Sequence, residues 1–318
     1  MALASNGAGI NFTRHNDVAG FNIYGEVISN SSSNPNISAN AYWDNSYPIL
    51  VNGDIFTRTQ TNQSVQPASG YSTKQISQPI EDPCIDDIEI PTFPSSCNYR
   101  TCPSFDSTLL NCVTGLTHKI PPGTYSWINI DARKMDHANQ GIISTCKYRM
   151  EDVYKITGGL SISVQGVRGG VDATNAVFLF GPNASQISID MREQENKETP
   201  DNRVVSQAST KGAWKGILFY QPTGNLHFNG INMGHASNIV SMDGLTYAPK
   251  GNVWINKNGS PGATLVLGNI IAKDMSLVTN NGSNTLIRPA SMESVCSIGP
   301  GGGEDPTPTR RRRSRLVK

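Results

Sequence analysis

Four aspartates on strand-like segments are the residues of this chain best suited to catalysis: Asp54, Asp190, Asp243 and Asp274. Two carboxylates roughly 5–9 Å apart could hydrolyse a glycosidic bond. Asp243 and Asp274, however, occupy different positions within the sequence repeat described below, so the pattern does not align them on one face. An isolated Asp is typical of turns and solvated surfaces. We therefore predict no catalytic residue among these acids.

The histidines do not form a recognisable site either. His15, His118, His137, His227 and His235 are scattered along the chain. His227 lies between two apolar residues, and the alternation of a strand predicts that it points outward. The sequence contains no Gly-x-Ser-x-Gly elbow, no phosphate-binding loop, no His-Glu-x-x-His and no calcium-binding nonapeptide. We predict a non-enzymatic protein that holds no cofactor and no metal.

Six cysteines carry the clearest chemical signal. Most of them fall in a Pro-rich stretch where an even number favours disulfides over reduced thiols. Zinc is a weaker alternative, because no Cys-x-x-Cys pair and no His at ligand spacing accompanies them. Sequence does not choose among the 15 possible pairings. The disulfide candidates are Cys84, Cys97, Cys102, Cys112, Cys146 and Cys296.

A degenerate repeat predicts the fold. Residues 216–230, 244–259 and 268–282 each contain two short β-rich runs, split by a polar corner and closed by Asn or Gly. Such repeats are typical of stacked strands with an aliphatic interior. The predicted equivalent interior positions are Leu226/Phe228, Val253/Ile255 and Leu277. We predict an all-β, right-handed parallel β-helix, and an antiparallel β-sandwich is the alternative.

Composition divides the chain into four parts. Residues 1–78 alternate like β-rungs, 79–118 form a Pro- and Cys-rich crossing segment, and 119–290 form the main solenoid. Residues 291–318 have the composition of a disordered Gly/Pro/Arg tail, with Arg310–Arg313 and Arg315 as its basic cluster. The near-balanced charge gives no general signal for nucleic acid. The first rung is expected to be exposed, because solenoid ends need caps.

Two further features bear on location and binding. No apolar stretch reaches the length of a membrane helix, and no basic-then-apolar signal follows Met1. Taken literally, that would place the chain in the cytoplasm, whereas the cysteines favour an oxidising compartment. Four aromatic residues could form a contact patch, although aromatic residues on rungs are more often core. They are Tyr24, Tyr42, Trp43 and Tyr47.

Several segments in order resemble TadG-like proteins of the bacterial tight-adherence (Flp) pilus system. They are the small-residue opening at 2–10 with the Asn/Ser-rich 28–35, Asp82-Pro83, Pro122–Tyr125, 158–162, 176–180, 215–221, 244–249, 265–272 and the terminal 315–317. The resemblance covers most of the chain, although each motif is short. Ser126 stands where the family often has Cys, and the family's N-terminal membrane helix is not in this sequence, which predicts a fragment of a longer protein.

The resemblance implies an extracytoplasmic assembly domain, in the periplasm or at the cell surface, anchored to the membrane in the full-length family. Its expected partners are pilus or cell-envelope proteins and host or surface glycans, with no specific nucleic acid. Two alternatives belong to other classes. One is a β-helix enzyme that acts on glycans as a polysaccharide lyase or hydrolase, and the other is a phage or viral spike-like adhesin.

Overall fold

The computed structural model describes residues 1–3, 5–15, 20–41, 48–61, 64–84, 88–97, 101–107, 117–131, 135–136, 141–142, 147–165, 170–192, 203–234, 238–280 and 284–290. Within these ranges the chain forms β-strands and no α-helix, so the predicted all-β class is confirmed. None of the described segments is a helix that could span a lipid bilayer.

The strands are numbered in chain order. The N-terminal group is β1 (Ile10–Arg14), β2 (Gly20–Tyr24), β3 (Val27–Ser29), β4 (Ile37–Ala41), β5 (Ile49–Asn52), β6 (Ile55–Thr57), β7 (Val65–Pro67) and β8 (Thr73–Gln75). The next group is β9 (Phe105–Asp106), β10 (Thr117–Ile120), β11 (Gly123–Asp131), β12 (Met135–Asp136), β13 (Gly141–Ile142), β14 (Lys147–Met150), β15 (Asp152–Gln165) and β16 (Gly170–Phe180). The last group is β17 (Gln186–Arg192), β18 (Arg203–Ala208), β19 (Ile217–Tyr220), β20 (Leu226–Met233), β21 (Ile239–Asp243), β22 (Leu245–Gly259), β23 (Thr264–Leu267), β24 (Ile270–Thr279) and β25 (Asn284–Ile287).

Parallel pairing arranges these strands in three stacks. The first stack runs β9, β11, β15, β17, β20, β22, β24, β1, β4. The second runs β10, β14, β16, β18, β21, β23, β25, β2, β5, β7. The third runs β11, β15, β16, β19, β22, β24, then Ala2, β3, β6, β8. This parallel pairing differs from that of an antiparallel sandwich; the β12–β13 pair is antiparallel.

One hydrophobic core lies between the three stacks. Every second side chain of a strand points inward, and most of these are aliphatic. The parallel register places each of them beside its equivalent on the next strand. Leu226 is opposite Val253, and Phe228 is opposite Ile255, which in turn is opposite Leu277. The predicted interior equivalents are therefore confirmed. A column of aromatic rings joins four layers, with centroid distances of 6.5, 5.6 and 5.4 Å from Tyr125 through Tyr154 and Phe178 to Phe219.

The interior also contains an ammonium group. Lys257 is 0% exposed, because the inward positions of β22 are Val253, Ile255 and then Lys257. Its Nζ donates to the carbonyl oxygen of Ala263 at 2.9 Å and to that of Asn284. Burial in this apolar environment lowers the pKa of Lys257 from 10.5 to about 7.

The N-terminal strands do not begin the stacks. Strand β1 pairs with β24 along one edge and with β4 along the other. Strands β1 to β8 therefore continue the stacks beyond β24 and β25. The expectation of an exposed first rung is wrong, because both edges of β1 have backbone partners. The division at residues 78, 118 and 290 stays a prediction, and 291–318 lie outside the described residues.

A return segment, residues 79–103, connects β8 with the opposite end of the stacks. It begins at Asn30, whose side-chain amide exchanges hydrogen bonds of 2.7 and 2.8 Å with the backbone of Ile80. It ends where the Ser126 amide donates to the Pro103 carbonyl oxygen at 2.9 Å. Seven strand spacings lie between β3 and β11 in the third stack, roughly 34 Å at about 4.8 Å each.

The return segment covers the outer side of the third stack. Cys84, Ile88 and Phe93 pack on a row of outward apolar side chains that would otherwise meet solvent. Polar contacts fix its path: Tyr247 Oη donates to Asp82 Oδ2 at 2.6 Å, and Lys155 Nζ donates to a backbone carbonyl at 2.7 Å. The outward row comprises Val177, Leu179, Ile217, Tyr220, Leu245, Tyr247 and Ile271.

Candidate binding surface

The outer side of the first stack, here called the polar face, is the best candidate for a functional surface. Its inward neighbours are buried aliphatic residues, so alternation turns the intervening polar residues outward. Because the pairing is parallel and in register, like positions of successive strands form rows along the stack. The described outward residues include Asp106, Trp127, Asn129, Asp131, Ser161, Ser163, Gln186, Ser188, Asp190, His227, Asn229, Asn232, Trp254, Asn256, Asn258, Ser276, Val278, Asn11, Ser38 and Asn40.

One row of this face is aromatic. In register order it contains Trp127, Gly159, Gln186, His227 and Trp254. The His227 ring meets the Trp254 ring edge to face, with centroids 5.7 Å apart and an interplanar angle of 89°. Trp127 is 38% exposed. This aromatic row lies on rigid strands, so its rings are held in place before any ligand arrives.

Gly159 makes room for the Trp127 ring. A Cβ at that position would lie 2.6 Å from Trp127 Cη2 and 2.8 Å from Cζ3, far inside van der Waals contact. The indole therefore lies across the neighbouring strand rather than extending away from it. Gly158 has a similar effect, since a Cβ there would be 3.1 Å from Trp127 Cε3.

Side-chain amides form ladders beside the aromatic row. Asn280 Nδ2 donates to Asn256 Oδ1 at 3.1 Å, and Ser38 Oγ donates to Asn11 Oδ1 at 3.0 Å. Asn129 Nδ2 donates to Asp106 Oδ1 at 3.2 Å. These bonds run from one layer to the next and hold the amides in defined orientations. The result is a flat surface of oriented donors and acceptors.

The polar face carries little charge. Among its described outward side chains, Asp106, Asp131 and Asp190 are acidic and none is Lys or Arg. The outer side of the second stack differs, since Glu151 there contacts Lys119 Nζ at 2.8 Å and also pairs with Arg149. The Lys119 hydrogen bond and the nearby Arg149 charge lower the pKa of Glu151. The three stacks thus have chemically distinct outer sides.

No protein-family model, curated protein or solved structure matches this chain. Oriented amides and hydroxyls can hydrogen-bond to hydroxyl-rich or peptide ligands, and exposed rings can stack on flat apolar surfaces. Neither arrangement provides a nucleophile with an adjacent base.

The four candidate aspartates are not brought together. Asp190 lies on the polar face, whereas Asp243 belongs to the second stack beside Gln207. Asp54 pairs with Lys74 at 2.8 Å, and the Lys74 hydrogen bond lowers the pKa of that carboxyl. Asp274 is buried, and its Oδ1 accepts the Gly9 amide at 2.8 Å. The paired carboxylates needed for glycoside hydrolysis are not assembled from these four.

Other predicted residues have varied positions. His227 is half-buried between the fully buried Leu226 and Phe228, as alternation predicted, and the buried Nε2 of His118 has no hydrogen-bond partner. Tyr24 is 49% exposed at the end of β2. No group of three or more His, Cys, Asp or Glu able to hold a metal occurs in the part of the chain the structure describes. His137, His235, Tyr42, Trp43, Tyr47, Arg310–Arg313 and Arg315 lie outside the described residues.

Disulfide chemistry is present in the return segment. Cys97 and Cys102 form a disulfide, with Cα atoms 4.8 Å apart. Cys84 is also disulfide-bonded. Cys112, Cys146 and Cys296 lie outside the described residues.

Sequence reasoning missed the aromatic row. Trp127 lies between Ser126 and the buried Ile128, and Trp254 lies between the buried Val253 and Ile255. The alternation of buried and exposed residues along each strand is enough to predict that both indoles point outward. What the sequence did not reveal is that the register of five successive strands places them in one row.

Proposed function

We propose that the three stacks belong to one right-handed parallel β-helix. In the central part of the chain, each stretch of about one layer contributes in turn to the third, first and second stacks, as in β22 followed by β23. Crossover connections between parallel strands of one sheet are right-handed in almost all proteins. An experimental structure with left-handed winding would refute this proposal.

We infer that the chain acts without catalysis, as a structural or assembly domain displayed outside the cytoplasm, in the manner of TadG-like proteins of the Flp pilus system. The observation that carries this proposal is the polar face: a flat, rigid and nearly uncharged surface on which the candidate acids do not gather. Such a surface suits contact with a protein or an envelope surface better than it suits bond cleavage. The TadG-like assignment itself rests on the order of short motifs.

The extracytoplasmic location is supported by the Cys97–Cys102 disulfide. Disulfides persist in oxidising compartments and are rare in the cytosol. If the protein is exported, its cysteines should be blocked against alkylation when it is isolated from native cells without reductant. Six alkylatable thiols would contradict the proposed location.

The test of the assembly function is sedimentation with purified Flp pili. The oxidised protein should co-sediment with assembled pili in a saturable manner and stay in the supernatant without them. A second preparation, in which Asn256 and Asn258 are replaced by Lys, places like charges on the polar face and should bind more weakly. The matched control, Asn22→Lys with Asn52→Lys on the second stack, should bind like the unmodified protein. Equal sedimentation with and without pili would refute the assembly function.

A glycan-active enzyme is the second candidate, and the exposed Trp and His side chains of the polar face are what favour it. Its test is incubation with neutral and acidic polysaccharides, followed by measurement of new reducing ends and of unsaturated lyase products. We expect no turnover, because Asp54, Asp243 and Asp274 lie elsewhere. Asp131 is in the same row as Asp190 but two strands away, roughly 10 Å at about 4.8 Å per step, which is at the upper limit for paired carboxylates.

A spike-like adhesin would instead sediment as an obligate trimer.

A further inference from the structure

We propose that the aromatic row binds a neutral polysaccharide chain that lies along the stack. This inference rests on the proposed non-enzymatic surface function and adds the class of ligand. Pyranose rings present apolar C–H faces and a rim of hydroxyl groups. The row offers both complements: indole surfaces at its two ends and hydrogen-bonding side chains between them.

The indoles provide the stacking surfaces. Trp127 is exposed and is held across Gly159, so one face of its ring is covered by the neighbouring strand and the other is open to a ligand. Trp254 is half-buried and braced by the edge-to-face contact with His227. Rings that are already fixed lose little conformational entropy when a ligand stacks on them.

The polar side chains between the indoles suit hydroxyl groups. Gln186 is exposed and carries both a donor and an acceptor, and the imidazole nitrogens of His227 add further hydrogen-bonding atoms. Asn232 and Asn258 are exposed two rows further across the face, beyond the row of Asn256. A sugar hydroxyl both donates and accepts, so alternating amide and imidazole groups can satisfy it in either sense.

The length of the row indicates an extended ligand. Four strand-to-strand steps separate Trp127 from Trp254, which is roughly 19 Å at about 4.8 Å per step. A monosaccharide cannot contact both indoles over that distance. A chain of several sugars running parallel to the stack axis can.

Charge selects neutral glycans over the other linear polymers. Nucleic acids bind through Lys and Arg contacts to phosphate, and none of the described outward residues of the polar face is Lys or Arg. Acidic polysaccharides would meet Asp131 and Asp190 and be repelled. Anionic lipid surfaces are disfavoured for the same reason.

The experiment is binding to an array of immobilised neutral glucans, galactans and mannans, with polygalacturonate and single-stranded DNA as charged probes. The unmodified protein should bind at least one neutral polysaccharide, with little binding to either charged probe. Trp127→Ala and Trp254→Ala should each weaken that binding about tenfold, and Gln186→Ala should weaken it severalfold. Tyr24→Ala removes an aromatic side chain of similar exposure on the second stack and should leave binding unchanged.

Thermal unfolding of each variant separates lost binding from lost structure. Gln186 is a useful second site because its exposed side chain can be truncated without opening the core. Binding to no neutral polysaccharide, equal binding by all variants, or binding only to the charged probes would each overturn the inference. Loss of pilus co-sedimentation with glycan binding intact would refute only the assembly function, and the reverse result would refute only the glycan site.

Discussion

Replacing Lys257 by Met should change how the stability of the protein depends on pH. The side chain is 0% exposed, and burial lowers its pKa from 10.5 to about 7. Between these two values the unfolded chain holds a proton at Lys257 that the folded chain has released, so the contribution of Lys257 to the free energy of unfolding rises with pH in that window. Below pH 7 both states are protonated and the full penalty of a buried ammonium is present.

The magnitude follows from the shift. The lowered pKa of Lys257 means that this residue destabilises the folded state by about 5 kcal/mol at low pH and by about 2 kcal/mol at pH 9, where the folded amine is neutral. Relative to Lys257→Met, the unmodified protein should therefore gain about 2–3 kcal/mol between pH 6 and pH 9. The variant also leaves the carbonyls of Ala263 and Asn284 without the Nζ donor, but that loss contributes equally at both pH values.

The assay is guanidinium unfolding of oxidised protein at several pH values from 6 to 9, monitored by circular dichroism. Lys250→Met is the matched control, since Lys250 lies on the same strand with its side chain exposed. The stability difference between Lys250→Met and the unmodified protein should stay constant with pH. Parallel pH curves for the unmodified protein and Lys257→Met would refute the assignment of a buried, shifted amine.

Three further changes test other contacts. Tyr247→Phe removes the hydrogen bond to Asp82, so it should lower the free energy of unfolding by about 1–2 kcal/mol and speed proteolysis within the return segment. The control, Tyr220→Phe, should leave the cleavage rate unchanged. Equal cleavage rates for the two variants would contradict the role of the Tyr247–Asp82 bond. Gly159→Ala should displace the Trp127 indole and shift tryptophan fluorescence, an effect that Trp127→Phe must abolish if the signal comes from that ring. Phe228→Ala should lower the free energy of unfolding by about 3–5 kcal/mol in denaturant titrations, against less than about 1 kcal/mol for the exposed Leu50→Ala.

The class of the fold and the interior equivalents could be predicted because they depend on local pattern. Leu226, Val253 and their equivalents recur at matching positions of the repeat, and alternation determines which side of the strand they occupy. The order of the layers could not be predicted in the same way. Backbone hydrogen bonds join β1 to β24 and to β4, and such bonds carry no side-chain signature in the sequence.

The candidate surface was only partly accessible to sequence reasoning. The outward orientation of His227 follows from its neighbours, whereas its contact with Trp254 depends on the register between β20 and β22. Two of the aspartates considered as catalytic candidates make local contacts instead: Asp54 pairs with Lys74, and Asp274 accepts the Gly9 amide. The positions of Asp and His in the sequence did not by themselves locate the polar face, because that face depends on the register between strands.

The pairing of β1 with β24 means that the order of synthesis is not the order of assembly. Residues 10–14 leave the ribosome early, but one of their partner edges, Met275–Thr279, is made about 260 residues later. At 5–20 residues per second that interval is roughly 10–50 s. During this time the N-terminal strands have an unpaired edge, which is a template for pairing with other chains. A nascent chain of this protein should therefore need a partner, such as a chaperone, that shields β1 until β24 has been synthesised.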